Sequence, residues 1–192
     1  TIRGANVLGT LSILELLANG KTKKLHHIST ISVASDANEN SEISLTHLDG
    51  LLRAKSGYGA SKLIAEKLVI DVCKENNFLF SIYRPGMITG HSITGMSNSS
   101  DFVNRLLCSM IHMGSFINEE HSFLDMTPVD IVSEAILELS SKNGNIGKIF
   151  HLVNPCPLSY GTLGKYCSAY WERVKSKKLE GKSYLLWRKE LL

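Results

Sequence analysis

Residues 56–86 read SGYGASKLIAEKLVIDVCKENNFLFSIYRPG. In the first part of this stretch Leu63, Ile64, Leu68, Val69 and Val72 recur at helical spacing. That predicts a helix over 56–76 with those side chains inward and Glu66 and Lys67 outward. Residues 78–83 are a short apolar run, read as a strand, and Arg84-Pro85-Gly86 halts it because proline and glycine favour a turn. Upstream, 24–33 reads as a second strand, and Ile2, Val7, Leu8, Leu11, Leu14 and Leu17 repeat at helical spacing until Gly20. Residues 35–55, rich in Asp, Asn, Glu and Ser, read as a surface loop. Downstream, 87–100 reads as a long flexible loop. Asp101 can cap a helix that runs to Met113 and ends at Gly114. Residues 123–126 are extended, Pro128 suits the first turn of a helix over 129–141, and 149–153 is a further strand. The end of the chain reads as a helix, a short strand and a closing helix over 184–192. Strand alternating with helix predicts an α/β fold on a parallel sheet with helices on both faces.

Composition narrows the function classes. The 192 residues are 43% hydrophobic and 20% charged, with 15 Gly and 4 Pro, the make-up of a folded globular chain. Lys+Arg 21 against Asp+Glu 18 leaves +3. The short basic stretches at 21–24 and 173–182 read as solvated faces, so no nucleic-acid partner is expected. No apolar run reaches the ~18 residues of a transmembrane helix. The opening Thr-Ile-Arg-Gly is no signal peptide, so no membrane partner and a cytoplasmic location are expected. Cys73, Cys108, Cys156 and Cys167 lie 35, 48 and 11 residues apart without a CxxC pair, which suits buried free thiols and no metal site.

Three local features bear on chemistry. Tyr58 and Lys62 stand one helical turn apart on one face. An ammonium there favours the deprotonated phenol, which can then pass a proton near neutral pH. The spacing alone is a common accident, and an exposed lysine beside a half-buried tyrosine explains it more readily. Ser29, Thr30 and Ser32 gather at the carboxyl end of a strand, where open parallel sheets place ligands and a hydroxyl can steady developing charge. The plainer reading is that hydroxyls end the strand by bonding its backbone. The third feature is 83–90, YRPGMITG, a strand running into a turn at the same sheet edge.

Taken in order, a strand-end hydroxyl, YxxxK 28 residues later and RPG 22 residues beyond Lys62 resemble the extended short-chain dehydrogenase/reductase superfamily. Asn6-Val7-Leu8-Gly9-Thr10 resembles that superfamily's helix motif before the catalytic strand. SGYGASKLIAEKLV over 56–69, YRPGMITGHSITG over 83–95 and LDMTPVD over 124–130 further resemble the thioester reductase domains of nonribosomal peptide and polyketide synthases, carboxylic acid reductases and aminoadipate reductases. The resemblance covers about 5–153. It implies a Rossmann-like sheet, with 1–85 as the C-terminal part of the dinucleotide-binding domain. It also implies a small, mostly helical substrate subdomain over 86–192, interleaved with sheet elements around 123–126 and 149–153. Thr30, Tyr58 and Lys62 are the implied catalytic trio. Tyr58 and Lys62, with Pro85, Gly86, Met87 and Ile88, are the implied contacts of NADPH. Gly90, His91, Ser92, Asn98 and Asp101 belong to the most discriminating loop. That loop is expected to wall the substrate side at the sheet edge of Thr30 and Tyr58 and to meet the phosphopantetheine arm of an acyl carrier protein in the same polypeptide. The implied activity is hydride transfer from NADPH to a carrier-bound acyl thioester, releasing an aldehyde or alcohol.

Two other readings stay open. One is an extended dehydrogenase or epimerase acting on a free small molecule or sugar nucleotide. Ile31 and Ser32 replace the carboxylates of a dehydratase, and Arg105 is the one obvious diphosphate partner in the central region. The other is a non-catalytic fragment or cofactor-binding regulatory protein, because no GxxGxxG phosphate loop occurs and the chain starts five residues before the NVLGT motif. On that ground the chain is expected to be the C-terminal part of a longer reductase.

Overall fold

The computed structural model describes residues 2–21, 23–34 and 57–191. The loop expected over 35–55 lies outside them. Two compact units form, Thr1–Gly86 with Val132–Val153, and Met87–Ile131 with Asn154–Leu192.

In the first unit a π-turn, Gly4–Leu8, leads into α1, Gly9–Ala18. Strand β1, Lys24–Ile28, is followed by helix α2, Gly57–Glu75, and strand β2, Leu79–Pro85. β2 pairs in parallel with β1 on one side and with Ile149–Leu152 on the other, in register Ile28↔Tyr83 and Arg84↔His151. A central parallel strand is buried on both faces, and all residues of β2 after Leu79 are buried. Leu14 and Leu17 of α1, Val69, Ile70 and Cys73 of α2, and Phe80 and Ile82 of β2 make the core.

The second unit contains strand β3, Met87–Thr89, helix α3, Phe102–Met113, and strand β4, Ser115–Ile117. Strands β5, Phe123–Leu124, and β6, Met126–Pro128, precede helix α4, Val129–Ser141, which from Val132 onward belongs, with β7, Ile149–Leu152, to the first unit. Then come β8, Leu158–Ser159, α5, Tyr160–Lys175, β9, Glu180–Lys182, and α6, Tyr184–Leu191. The Asp101 carboxylate accepts from Asn104 N at 2.8 Å, and Gly114 ends α3 at φ 66°, as the capping signals predict. The core gathers Met110, Phe116, Leu124, Leu163 and Trp187. Trp187 anchors the closing helix by donating its indole N–H to Ser115 O at 3.1 Å.

Gly164 lies where α5 crosses β4: a Cβ there would sit 2.1 Å from Cδ2 of Phe116. Phe116 is itself buried, so it has little room to yield. Gly164→Ala is therefore expected to destabilise the fold by about 1–3 kcal/mol, read as a lower midpoint in urea denaturation. An unchanged midpoint would show that the aromatic side chain relocates freely.

The structure departs from the sequence reading in several places. The strand expected over 24–33 stops at Ile28. Ser29 N donates to Tyr83 O at 2.7 Å, after which Ser32 N donates to the Thr30 hydroxyl at 3.3 Å and the chain turns into a 3-10 segment, Ile31–Ala34. A hydroxyl that bonds nearby backbone competes with the sheet ladder. Residues 87–89, expected in the loop, form β3 because Met126–Pro128 is available as a parallel partner. Ile64 is 36% exposed, while Glu66, expected outward, is 0% exposed. Of the four thiols expected to be buried, only Cys73 is; Cys108 and Cys156 are exposed, Cys167 is half-buried, and all four are free.

Candidate active site

In the first unit α2 begins one residue before Tyr58. Its first turn is fixed from below: Asn6 Nδ2 donates to Ser61 Oγ at 2.9 Å, and Ser61 Oγ donates to Tyr58 O at 2.8 Å. Asn6 sits in the π-turn, and Thr10 Oγ1 donates back to the Asn6 carbonyl at 2.6 Å, a bond that bends helices locally. Tyr58 itself is 44% exposed. One turn on, Lys62 Nζ donates to Ile28 O at 3.0 Å, the last residue of β1. Partial burial lowers the Lys62 pKa from its ordinary value.

Thr30 follows two residues after that carbonyl and is buried, with its hydroxyl 3.3 Å from Ser32 Oγ. The 3-10 segment just beyond it packs on α2. Ser29 Oγ, next door, is buried without a hydrogen-bond partner among the described residues. Tyr58 and Lys62 thus share one helix face, and Lys62 ties that face to the strand end carrying Thr30. This arrangement can hold an oxygen, deliver a proton and keep a cation beside the donor.

Sequence reasoning missed a charged cluster beneath the site. Arg84 Nε donates to Glu66 Oε2 at 3.1 Å, Arg84 Nη2 binds Glu66 Oε1, and Arg84 Nη1 meets His151 Nε2 at 3.2 Å. Arginine only donates, so His151 Nε2 accepts. Burial, then the Arg84 charge, lowers the His151 pKa. His27 is lowered as well, first by burial and then by the Lys62 charge, with Glu66 opposing. The available signal was Glu66 in step with Val69 and Cys73 at three- and seven-residue spacing, which is a core face.

Pro85 has no N–H, and Gly86 N already donates to Leu152 O at 3.0 Å. In the second unit Met87 N donates to Asp125 O at 2.9 Å, and Ile88 lies in β3. The loop after β3 is internally tied. A Cβ on Gly90 would lie 2.8 Å from Gly95 O, so only glycine fits there. Ser92 donates from N and Oγ to the Asp130 carboxylate at 2.9 and 2.6 Å, and these bonds lower the Asp130 pKa. His91 N donates to Met96 O at 2.9 Å. Asn98 Oδ1 accepts from Ser100 N and Oγ, and Asp101 caps α3. Asn98 and Asp101 therefore shape the loop with their side chains. Among the described residues no three His, Cys, Asp or Glu side chains cluster to hold a metal, and no helix is long and apolar enough to cross a membrane.

A protein-family model described as male sterility protein matches residues 1–136. The chain belongs to that family. It is 36% identical over 160 residues to the nonribosomal peptide synthetase cpsA of Aspergillus campestris, covering 79% of this chain and 15% of that protein. It is 33% identical over 162 residues to aldehyde reductase lnbA of Aspergillus flavus, covering 80% and 16%. Among solved structures, the terminal R domain of the myxalamid PKS-NRPS pathway superposes with TM-score 0.82 and 36% identity, over 98% of this chain and 47% of that one. These matches put the chain among the thioester reductase domains of the extended short-chain dehydrogenase/reductase superfamily, with the Rossmann-like α/β fold they share. The chain spans less than half of that reductase structure and about one-sixth of the two relatives.

Proposed function

We propose that the protein carrying this chain is an NADPH-dependent reductase. Its substrate is an acyl thioester on the phosphopantetheine arm of a carrier protein in the same polypeptide, and its product an aldehyde or alcohol. The observation that carries this reading is the Lys62–Ile28 bond of 3.0 Å, which joins the Tyr58-Lys62 face to the strand end bearing Thr30. NADPH supplies the hydride when bound. Thr30 donates a hydrogen bond to the substrate oxygen as charge builds there, and Tyr58 gives that oxygen its proton, leaving a hemithioacetal. As that adduct collapses the C–S bond breaks, the proton passes from the oxygen to the departing sulfur, and the aldehyde and the carrier thiol are released. Lys62 spends one of its three N–H donors on Ile28 O; the others have no partner among the described residues and are read as serving the nicotinamide ribose, and its charge supports the phenol as the proton leaves. The stretch 85–88 is read as lining for the nicotinamide; the N–H groups of Gly86 and Met87 are already bonded, so that role falls to the Gly86 carbonyl and the Met87 side chain. The loop with Gly90, His91, Ser92, Asn98 and Asp101 is read as the meeting place of the pantetheine arm, whose amides suit exposed backbone and hydroxyls.

The names of two relatives, a nonribosomal peptide synthetase and an aldehyde reductase, support this substrate class. The test is NADPH oxidation by the full-length protein with an acyl group loaded on a phosphopantetheine-bearing carrier domain, with aldehyde trapped by a hydrazine. Consumption with the thioester and little with the free acid is expected. Equal rates with both, or none with the thioester, would overturn the reading.

A further inference from the structure

Tyr58, Lys62 and Glu66 follow one another at four-residue spacing on α2, so the carboxylate lies one turn beyond the lysine on the same side of the helix. Glu66 is 0% exposed and Arg84 1%. Apolar side chains of similar volume often stabilise such a place as well or better, so stability alone does not explain a buried ion pair. Its geometry points elsewhere. The guanidinium reaches both carboxylate oxygens, which restrains the rotation of α2 as well as its distance from β2. A third donor contact, to His151 at 3.2 Å, steadies the guanidinium from β7. The residue before Arg84 holds the other half of the site: Tyr83 pairs with Ile28 and accepts from Ser29 N at 2.7 Å. One dipeptide of the central strand therefore grips the end of β1 through its backbone and α2 through a side chain.

We infer that Glu66 and Arg84 are positioning residues, and that their buried pair sets α2 over the sheet so that Lys62 reaches the Ile28 carbonyl and Tyr58 keeps its place. For its catalytic consequence this rests on the reductase reading; the placement of Lys62 can be read without turnover.

The test is the double variant Glu66→Leu with Arg84→Met in the full-length protein, which exchanges the pair for apolar side chains. Two readouts are taken beside the melting temperature. The first is acetylation of Lys62 by acetic anhydride, quantified by mass spectrometry against exposed Lys74 of the same helix. The second is kcat and KM. With melting retained, Lys62 labelling is expected to rise toward that of Lys74. Turnover is expected to fall ~10²-fold, with KM little changed, as a displacement of about 1 Å at reacting groups does. Unchanged Lys62 labelling in the folded double variant overturns the inference whatever the activity. Increased labelling alongside a wild-type protein that reduces no thioester overturns the reductase reading and leaves the positioning intact. If the double variant fails to fold, Glu66→Gln, which keeps the side chain's shape, takes its place with the same readouts. Raised Lys62 labelling in that folded variant then supports the inference, and unchanged labelling overturns it.

Discussion

Tyr58→Phe is expected to leave the fold intact and to lower turnover by about 10²–10⁴-fold, the range a positioned proton donor contributes. Tyr58 is 44% exposed, and the contacts that hold this turn run through its carbonyl and Ser61, which the substitution leaves in place. Only the phenol hydroxyl, and with it the proton to be transferred, is removed. Lys62 keeps its bond to Ile28 O, so the larger part of the loss should fall on kcat. The measurement is steady-state NADPH oxidation with a carrier-linked thioester, with a melting curve as the control on folding. More than half the wild-type rate in a folded Tyr58→Phe protein would remove Tyr58 from the proton transfer.

Thr30→Val should lower kcat by ~10²–10³-fold, the usual effect of deleting one donor to a developing oxyanion. Valine matches threonine in shape, and Thr30 is 8% exposed, so the added methyl meets a site already filled by the hydroxyl. The local losses are the bond from Ser32 N and the bond to Ser32 Oγ, both long at 3.3 Å. Ser29→Ala is the paired control. Its hydroxyl is buried with no partner among the described residues, and removing such a group is neutral or favourable for stability. Ser29→Ala should therefore keep near wild-type turnover. If Ser29→Ala is the crippled variant and Thr30→Val the active one, the oxyanion donor is Ser29.

Much of the molecule was legible in the sequence because its signals are local. The spacing of apolar residues placed the helix carrying Tyr58 and Lys62, Arg84-Pro85-Gly86 marked the end of the central strand, and Asp101 and Gly114 bracketed a helix by side-chain capping and left-handed backbone. The strand-to-helix order implied the parallel sheet, and the family resemblance singled out Thr30, Tyr58 and Lys62 as candidates. Tertiary structure alone decided the rest. Glu66 is buried because Arg84, 18 residues away in sequence, meets it across the helix–sheet interface. A carboxylate enters a core only with such a partner, which periodicity within one helix does not reveal. Lys62 binds a carbonyl 34 residues away, and 87–89 became a strand only because Met126–Pro128 lies alongside. In each case the deciding energy comes from a group distant in sequence, so it exists only once the chain has folded.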